Sequence, residues 1–151
     1  MNKLILCLGL AAFVGTSLSA RAEDVAEVKI SAEKLTLFYD TKEFTVKAGQ
    51  KVKLTLANPA GSPFPHNLLI VKPGKKDVVG MASNTAMTDP TYLTEKNAIP
   101  ESEDILHHTT LVQAGEEDTI EFTAPEEPGD YPYLCTYPGH WAVMNGVMHV
   151  E

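Results

Sequence analysis

Thiols are scarce in this chain. It has two cysteines, Cys7 and Cys135, and the first falls in a stretch that reads as a leader. Residues 1–22 place Lys3 ahead of an apolar run from Leu4 to Val14 and end in Ala20-Arg21-Ala22, the small-x-small pattern of signal-peptide cleavage, here before Glu23. Cleavage leaves Cys135 without a partner, which excludes a disulfide-stapled scaffold. A lone thiol in an oxidising compartment is open to oxidation or wrong pairing unless it is buried or something occupies it. Long apolar runs are also missing. The leader's run is too short to span a bilayer, and no later stretch approaches the roughly 20 apolar residues that a span needs. The expectation is a soluble exported protein, periplasmic or otherwise outside the cytoplasm. Basic residues are few as well: 12 Lys and Arg against 20 Asp and Glu give a formal charge of −8, and losing Lys3 and Arg21 with the leader makes it −10. An acidic surface disfavours nucleic acid and anionic membranes as partners, since both reward clustered Lys and Arg. Repeats and low-complexity tracts are absent. What remains, residues 23–151, has the length for one domain and is too short for two.

What the chain does have is a period of two. In "KVKLTLAN" Val52, Leu54 and Leu56 alternate with Lys51, Lys53 and Thr55, and in "DTIEFTAP" Ile120 and Phe122 alternate with Thr119, Glu121 and Thr123. Such alternation marks half-buried strands. The same pattern runs through Val28 and Ile30, Leu35 and Leu37, Phe44 and Val46, Tyr131 and Tyr133, and Met148 and Val150. Turn-forming residues separate these segments: Ala48-Gly49, Asn58-Pro59-Ala60-Gly61, Pro73-Gly74, Ala114-Gly115, Pro128-Gly129 and Asn145-Gly146. About seven short strands at this spacing predict an all-β, Greek-key β-sandwich. Residues 75–107 show no sustained alternation and are expected to form a long irregular insertion, with one or two helical turns, over one side of the sandwich.

Chemistry-bearing side chains concentrate at one end of this sandwich. "LCTYPGHWAVMNG", residues 134–146, puts Cys135, His140 and Met144 within ten residues. Strand alternation gives Cys135 the face of Tyr131 and Tyr133, and in "HNLLIV" it gives His66 the face of Leu68 and Ile70. Pro138 and Gly139 end the first strand and the chain returns near Gly146, so a loop between two neighbouring strands carries His140 and Met144 back over the strand end. With five His and five Met in the chain, chance puts His at +5 and Met at +9 from a given cysteine about once in nine hundred cases. A thiolate and two imidazoles with a weak, distant thioether suit copper as both Cu(I) and Cu(II), because neither state obtains its preferred geometry from a rigid intermediate site. Little rearrangement then accompanies gain or loss of an electron. Zinc, by contrast, prefers oxygen, nitrogen or thiolate over a thioether as its fourth ligand. A cysteine hydrolase would need a histidine base in catalytic geometry and an oxyanion hole, and a five-residue spacing across a loop supplies neither.

"CTYPGHWAVMNG" resembles the copper-ligand loop of azurins and auracyanins in the cupredoxin family, and "FPHN" resembles the first-ligand segment of plastocyanins. "VVGMAS", an acidic insertion, "HTTLVQAGEEDTIEF" and "YPYLCTYPGH" follow one another in the azurin order, so the resemblance covers residues 23–151. It implies a Greek-key β-sandwich that holds one type 1 copper and passes single electrons without being an enzyme. By matching positions it implies His66, Cys135 and His140 as equatorial ligands and Met144 as the axial one. Asn67 resembles the family asparagine that ties the two ligand segments together, with Thr136 as its partner. The chain departs from the azurin pattern in three places. Pro65 stands where azurins have a glycine whose carbonyl approaches the copper, which leaves a fifth ligand open; the disulfide near the azurin amino terminus is absent; and Trp141 follows His140 where small or polar residues are common.

The partner this implies is another redox protein, such as a cytochrome or an oxidoreductase. It would dock where His140 reaches the surface within an apolar rim of Pro138, Gly139, Trp141, Ala142 and Val143, and the chain itself is expected to be a monomer. The acidic clusters Glu101, Glu103, Asp104 and Glu116, Glu117, Asp118 are expected on the solvated surface, where they steer a basic partner. Met148 alternates with Val150 and is expected in the core, with His149 facing the other way. His107 and His108 are adjacent and cannot share one side of a strand, so structural or solvated roles are expected. Met81 and Met87 are expected to pack within the insertion, with copper loading as the alternative. The chain is too short to add the second, histidine-rich copper centre of an oxidase or nitrite reductase. A role in copper storage or delivery is the second reading of the same residues.

Overall fold

The computed structural model describes residues 24–151, so the leader and its cleavage point lie outside the described residues. In chain order the elements are β1 (Ala26–Ser31), β2 (Glu43–Val46), β3 (Lys51–Ala57), β4 (Leu69–Val71), α1 (Lys76–Ala86), β5 (Ile105–His108), β6 (Glu117–Thr123), β7 (Gly129–Leu134) and β8 (Asn145–Val150). They form a three-stranded sheet, β1-β3-β6, and a five-stranded sheet, β2-β8-β7-β4-β5. β1 runs parallel to β3 and β2 parallel to β8; the other pairs are antiparallel. The chain passes between the sheets after β1, β2, β3, β5 and β6, which gives the expected β-sandwich with a helical insertion.

Alternation decides which side chains meet. Val52, Leu54 and Leu56 of β3 are buried while Lys51 and Lys53 are exposed, and Leu54 pairs with Ile120 and Val52 with Phe122 across the β3–β6 ladder. The inner faces of the two sheets bury Ile30, Leu54, Leu56, Leu68, Ile70, Tyr133 and Met148 in one core. Burying each such side chain stabilises the fold by about 1.5–3 kcal/mol. β4 is different because both of its faces are covered. Leu68 and Ile70 face the sandwich, whereas Leu69 and Val71 join Leu134 and Val79 in a second cluster under α1. His66 keeps the period of Leu68 and Ile70, so it points inward at the end of the sandwich.

The insertion is more ordered than expected. α1 is an 11-residue helix with Asp77 in its first turn, where a carboxylate favours the helix dipole, and it buries Val79, Gly80 and Ser83. The insertion closes with a strand, since β5 begins at Ile105 and pairs with β4. Leu35 and Leu37, whose alternation suggested a strand, lie instead in a run of bends; only Ala32 and Tyr39 pair there, and Leu35 is 86% exposed. Alternation without a neighbouring strand to receive its hydrogen bonds does not make a strand. Met81 and Met87 are exposed rather than packed.

Asn145-Gly146 is likewise not a turn. Both residues belong to β8, opposite Leu134 and Tyr133. Gly146 is required there by packing: a Cβ on it would lie 2.3 Å from the Tyr133 ring and 2.5 Å from the Lys42 carbonyl oxygen. Because one of these is main chain, a side chain cannot be accommodated by a rotamer change. Gly146→Ala is therefore expected to destabilise the protein by about 1–3 kcal/mol, read from the denaturant midpoint, despite alanine's smaller backbone entropy loss.

Candidate metal centre

Two segments meet at the sandwich end. His66 is held by a backbone pair with Val112, its N–H donating to the Val112 carbonyl at 3.1 Å and its own carbonyl accepting at 2.8 Å. Cys135 follows β7 directly, and its N–H donates to the Met144 carbonyl at 3.0 Å. Between them Tyr137-Pro138-Gly139-His140 forms a tight turn, closed by the His140 N–H to the Tyr137 carbonyl at 3.0 Å, with Gly139 at φ +82°. Proline followed by a left-handed glycine is the chemistry such a turn requires. The Met144 N–H then donates to the His140 carbonyl at 2.8 Å, so the loop folds back over the cysteine.

The consequence is convergence. His66, Cys135 and His140 are all buried and present donor atoms within 4.8 Å of one another. The Cys135 sulfur lies 3.9 Å from His66 Nδ1 and 3.7 Å from His140 Nδ1. An ion about 2.0 Å from an imidazole nitrogen and about 2.3 Å from a sulfur, with its three donors in one plane, holds N and S about 3.8 Å apart. The residues present therefore fit a bound ion. Met144 is fully buried in the same core cluster, as is Met148, which the β8 alternation places opposite Tyr131.

Asn67 ties the two segments. Its Oδ1 accepts from the Thr136 N–H at 2.8 Å, and its Nδ2 donates to the Asn97 carbonyl at 2.9 Å, the Ala98 carbonyl at 3.2 Å and Thr136 Oγ1 at 3.1 Å. Thr136 was the expected partner; the turn at 97–98 and two tyrosines were not foreseen. Tyr92 donates to the Ala98 and Thr136 carbonyls, and Tyr39 donates to the Asn67 carbonyl at 2.5 Å. Ser62 Oγ lies 3.4 Å from His66 Nε2, the ring nitrogen turned away from the sulfur. No sequence pattern points to these residues, because each reaches the centre from a segment without strand or motif.

Trp141 does not border the rim as expected. Its ring lies on α1, so close that a Cβ on Gly80 would be 2.3 Å from it, and its Nε1 donates to Asn84 Oδ1 at 3.3 Å. The His140 ring packs instead against Tyr137 at 4.8 Å and edge-on to Phe64 at 5.5 Å. His107, outside the centre, stacks on Phe122 at 4.4 Å, and His149 contacts Asp130 at 2.7 Å. Of the acidic clusters, Asp104 sits between Lys72 and Lys75, Glu117 pairs with Lys29, and Asp118 accepts from Thr110.

The donors are uncharged at neutral pH. Burial, with the neighbouring His140, lowers His66 from 6.5 to about 4, and burial lowers His140 as well. Both rings thus keep a free lone pair for a metal. Burial pushes the Cys135 thiol up to about 11, opposed by hydrogen bonds from the Asn67 and Tyr137 N–H groups and from Tyr39. A cation that binds there must displace the thiol proton.

A sequence model for copper binding proteins of the plastocyanin/azurin family matches residues 26–151. The chain belongs to that family. Auracyanin-A of Chloroflexus aurantiacus is 30% identical over 125 residues, 82% of this chain and 74% of that protein. Outer membrane protein H.8 of Neisseria gonorrhoeae is 33% identical over 113 residues, 72% of this chain and 58% of that protein, so this chain spans little more than half the length of H.8. The crystal structure of dithionite-reduced auracyanin from Roseiflexus castenholzii shares the fold with a TM-score of 0.69 at 36% identity, covering 83% of this chain and 97% of that one. The cofactor of this cupredoxin is one type 1 copper, for which the buried thiol and imidazoles are the fitting donor set.

The buried imidazoles also set a pH dependence for the metal-free cupredoxin. The unfolded chain takes up a proton at His66 near pH 6.5 and the folded chain only near 4. Between these values the unfolded state binds more protons, so stability falls as pH falls. The metal-free protein is expected to be most stable above pH 6.5 and to lose on the order of 3 kcal/mol through His66 by pH 4. Denaturant titrations at successive pH values check this, and His66→Gln should flatten the dependence.

Proposed function

We propose that this cupredoxin is an electron carrier whose copper is held by His66, Cys135 and His140 with Met144 as the weak axial ligand. The convergence of three buried donors within 4.8 Å is the observation that supports the reading most directly. Bound copper supplies one-electron chemistry between Cu(I) and Cu(II). The chain's own residues do the rest. Leu68, Tyr133 and Met148 exclude water from the inner side of the centre, and the Tyr137–His140 turn covers it from outside. Donors that already stand at ligand spacing reorganise little when charge changes, which suits electron transfer better than catalysis on a substrate.

The carrier is exported, with residues 1–22 as the cleaved signal peptide and 23–151 as the copper-binding domain. Its partner is another redox protein that docks over His140. Only 3% of His140 is exposed, and around it Phe64 and Val143 are 42% and 45% exposed, with Gly139 and Ala142 also open. A small apolar patch permits close approach without tight binding. The acidic surface then orients a basic partner, an effect that salt screens. Storage or delivery of copper is the second reading; it would require rapid Cu(I) transfer to another protein, against which the buried loop speaks.

Three outcomes test the proposal. The copper-loaded protein should absorb visible light intensely through sulfur-to-copper charge transfer, lose the band on adding ascorbate, and lack it in a folded Cys135→Ser variant; copper uptake without the band sinks the type 1 ligand set. Met144→Leu removes a donor that favours Cu(II) and should raise the reduction potential. Met148→Leu should leave the potential in place and cost about 1.5 kcal/mol or less. Ala142→Asp, which charges the rim without touching a donor, should slow stopped-flow electron exchange with a redox protein strongly while sparing the visible spectrum. Exchange at the wild-type rate would exclude the His140 rim as the docking surface.

A further inference from the structure

Trp141 follows His140 directly, yet the two rings go to different places. The His140 ring stays with Tyr137 and Phe64, whereas the Trp141 ring crosses to α1 and packs against the cluster of Leu69, Val71, Val79 and Leu134. Gly80 admits it: a Cβ there would stand 2.3 Å from the ring atoms Cδ2 and Cε3. Glycine is a poor helix residue, and at this mid-helix position its use is to make room for the indole. One turn further along, Asn84 Oδ1 accepts from the indole Nε1 at 3.3 Å. The backbone that carries Trp141 is itself a helical turn, closed by the Met144 N–H to the His140 carbonyl at 2.8 Å. Asn145 Nδ2 ties that turn to β8 by donating to the Trp141 and Ala142 carbonyls at 3.1 Å and 3.2 Å. Trp141 ties it to the insertion.

We propose that Trp141 is a positioning residue: seated on Gly80 and Asn84, it latches the 140–144 turn to α1 and so sets how slowly the centre gives up copper. The inference rests on the copper reading above, in which His140 and Met144 are donors. His66 is paired to Val112 through its backbone, and Cys135 follows directly from β7, so both stay with the sheets. His140 and Met144 can withdraw together, by a swing of the turn that carries them. That swing must pull the indole from its seat, which returns apolar surface to water and breaks the Nε1 bond. Local openings have their own free energies, below that of global unfolding. The indole raises this one while leaving the donor set unchanged.

Gly80→Ala and Asn84→Ala distinguish a latch from a helix that matters only for stability. Both substitutions favour the helix, while the first evicts the ring and the second removes the acceptor of its N–H. In the metal-free protein, hydrogen exchange at the Met144 amide should quicken roughly tenfold in Gly80→Ala and roughly threefold in Asn84→Ala, with the amides of β3 no faster. From the reduced, copper-loaded protein a Cu(I) chelator should draw the metal faster by similar factors. In a Trp141→Ala background, where the seat is already empty, Gly80→Ala should add nothing. Met144 exchange that stays unmoved, or rises only together with β3, makes the contact merely structural and overturns the inference. An acceleration by Gly80→Ala that persists without the indole overturns it too. Faster exchange with unchanged copper release does the same, since the latch would then not reach the metal. A wild-type protein that takes up copper without the type 1 band would refute the copper reading itself, a result recognisable apart from the metal-free amide rates.

Discussion

The copper centre depends on one buried amide. Asn67, two residues before β4, meets Thr136 just beyond β7, the 97–98 turn of the insertion and the segment leading into β2, through its side chain and its carbonyl. Leaving any of these groups unpaired in a dry interior costs about 1–3 kcal/mol, so the four segments are bound to one relative placement. The chain accepts backbone strain to complete the arrangement: Asn97 and Ala98 stand at φ 53° and 58°, and an alanine there is uncommon. The Ala98 carbonyl repays that strain by accepting from Asn67, Tyr92 and Thr136 together.

From this placement follows the spacing of the donors. His66 sits one residue before Asn67 and Cys135 one before Thr136, so the amide that joins the second pair fixes the first. The imidazoles and thiol are thereby collected in an apolar interior as uncharged groups. Such a set is unfavourable to bury and favourable to a cation, which replaces a weakly satisfied cluster with coordinate bonds. The amide contacts and the packed sandwich hold the donors at that spacing, and the same stiffness limits how far they move when an electron comes or goes.

How much of this was legible depends on what each segment packs against. β3 and β6 carry visible alternation because one face of each meets water, and the spacing of Cys135, His140 and Met144 was readable because a single loop contains all three. Asn67 and Thr136 were readable as neighbours of the donors. α1 was legible only as one or two helical turns within residues 75–107, since its buried positions are only Val79, Gly80 and Ser83, and the reason for its mid-helix glycine is Trp141, sixty-one residues later. The false strand at Leu35 and Leu37 shows the converse: a period of two states what a segment would bury, but a sheet edge must be present to receive it. Tyr39 escaped notice because its partner is a carbonyl, which leaves no trace in residue identity.

The burial of Cys135 has a bearing on how the protein is lost. Among the described residues it is the one free cysteine, and it is inaccessible in the folded chain. Unfolding exposes it at the same moment that it releases the donors, and an oxidising medium can then couple or over-oxidise the thiol before the chain closes again. A molecule so altered lacks the sulfur the centre is built around and does not return to the native population. In such a medium its lifetime is then governed by how often the sandwich opens, a kinetic property, rather than by the equilibrium between folded and unfolded forms.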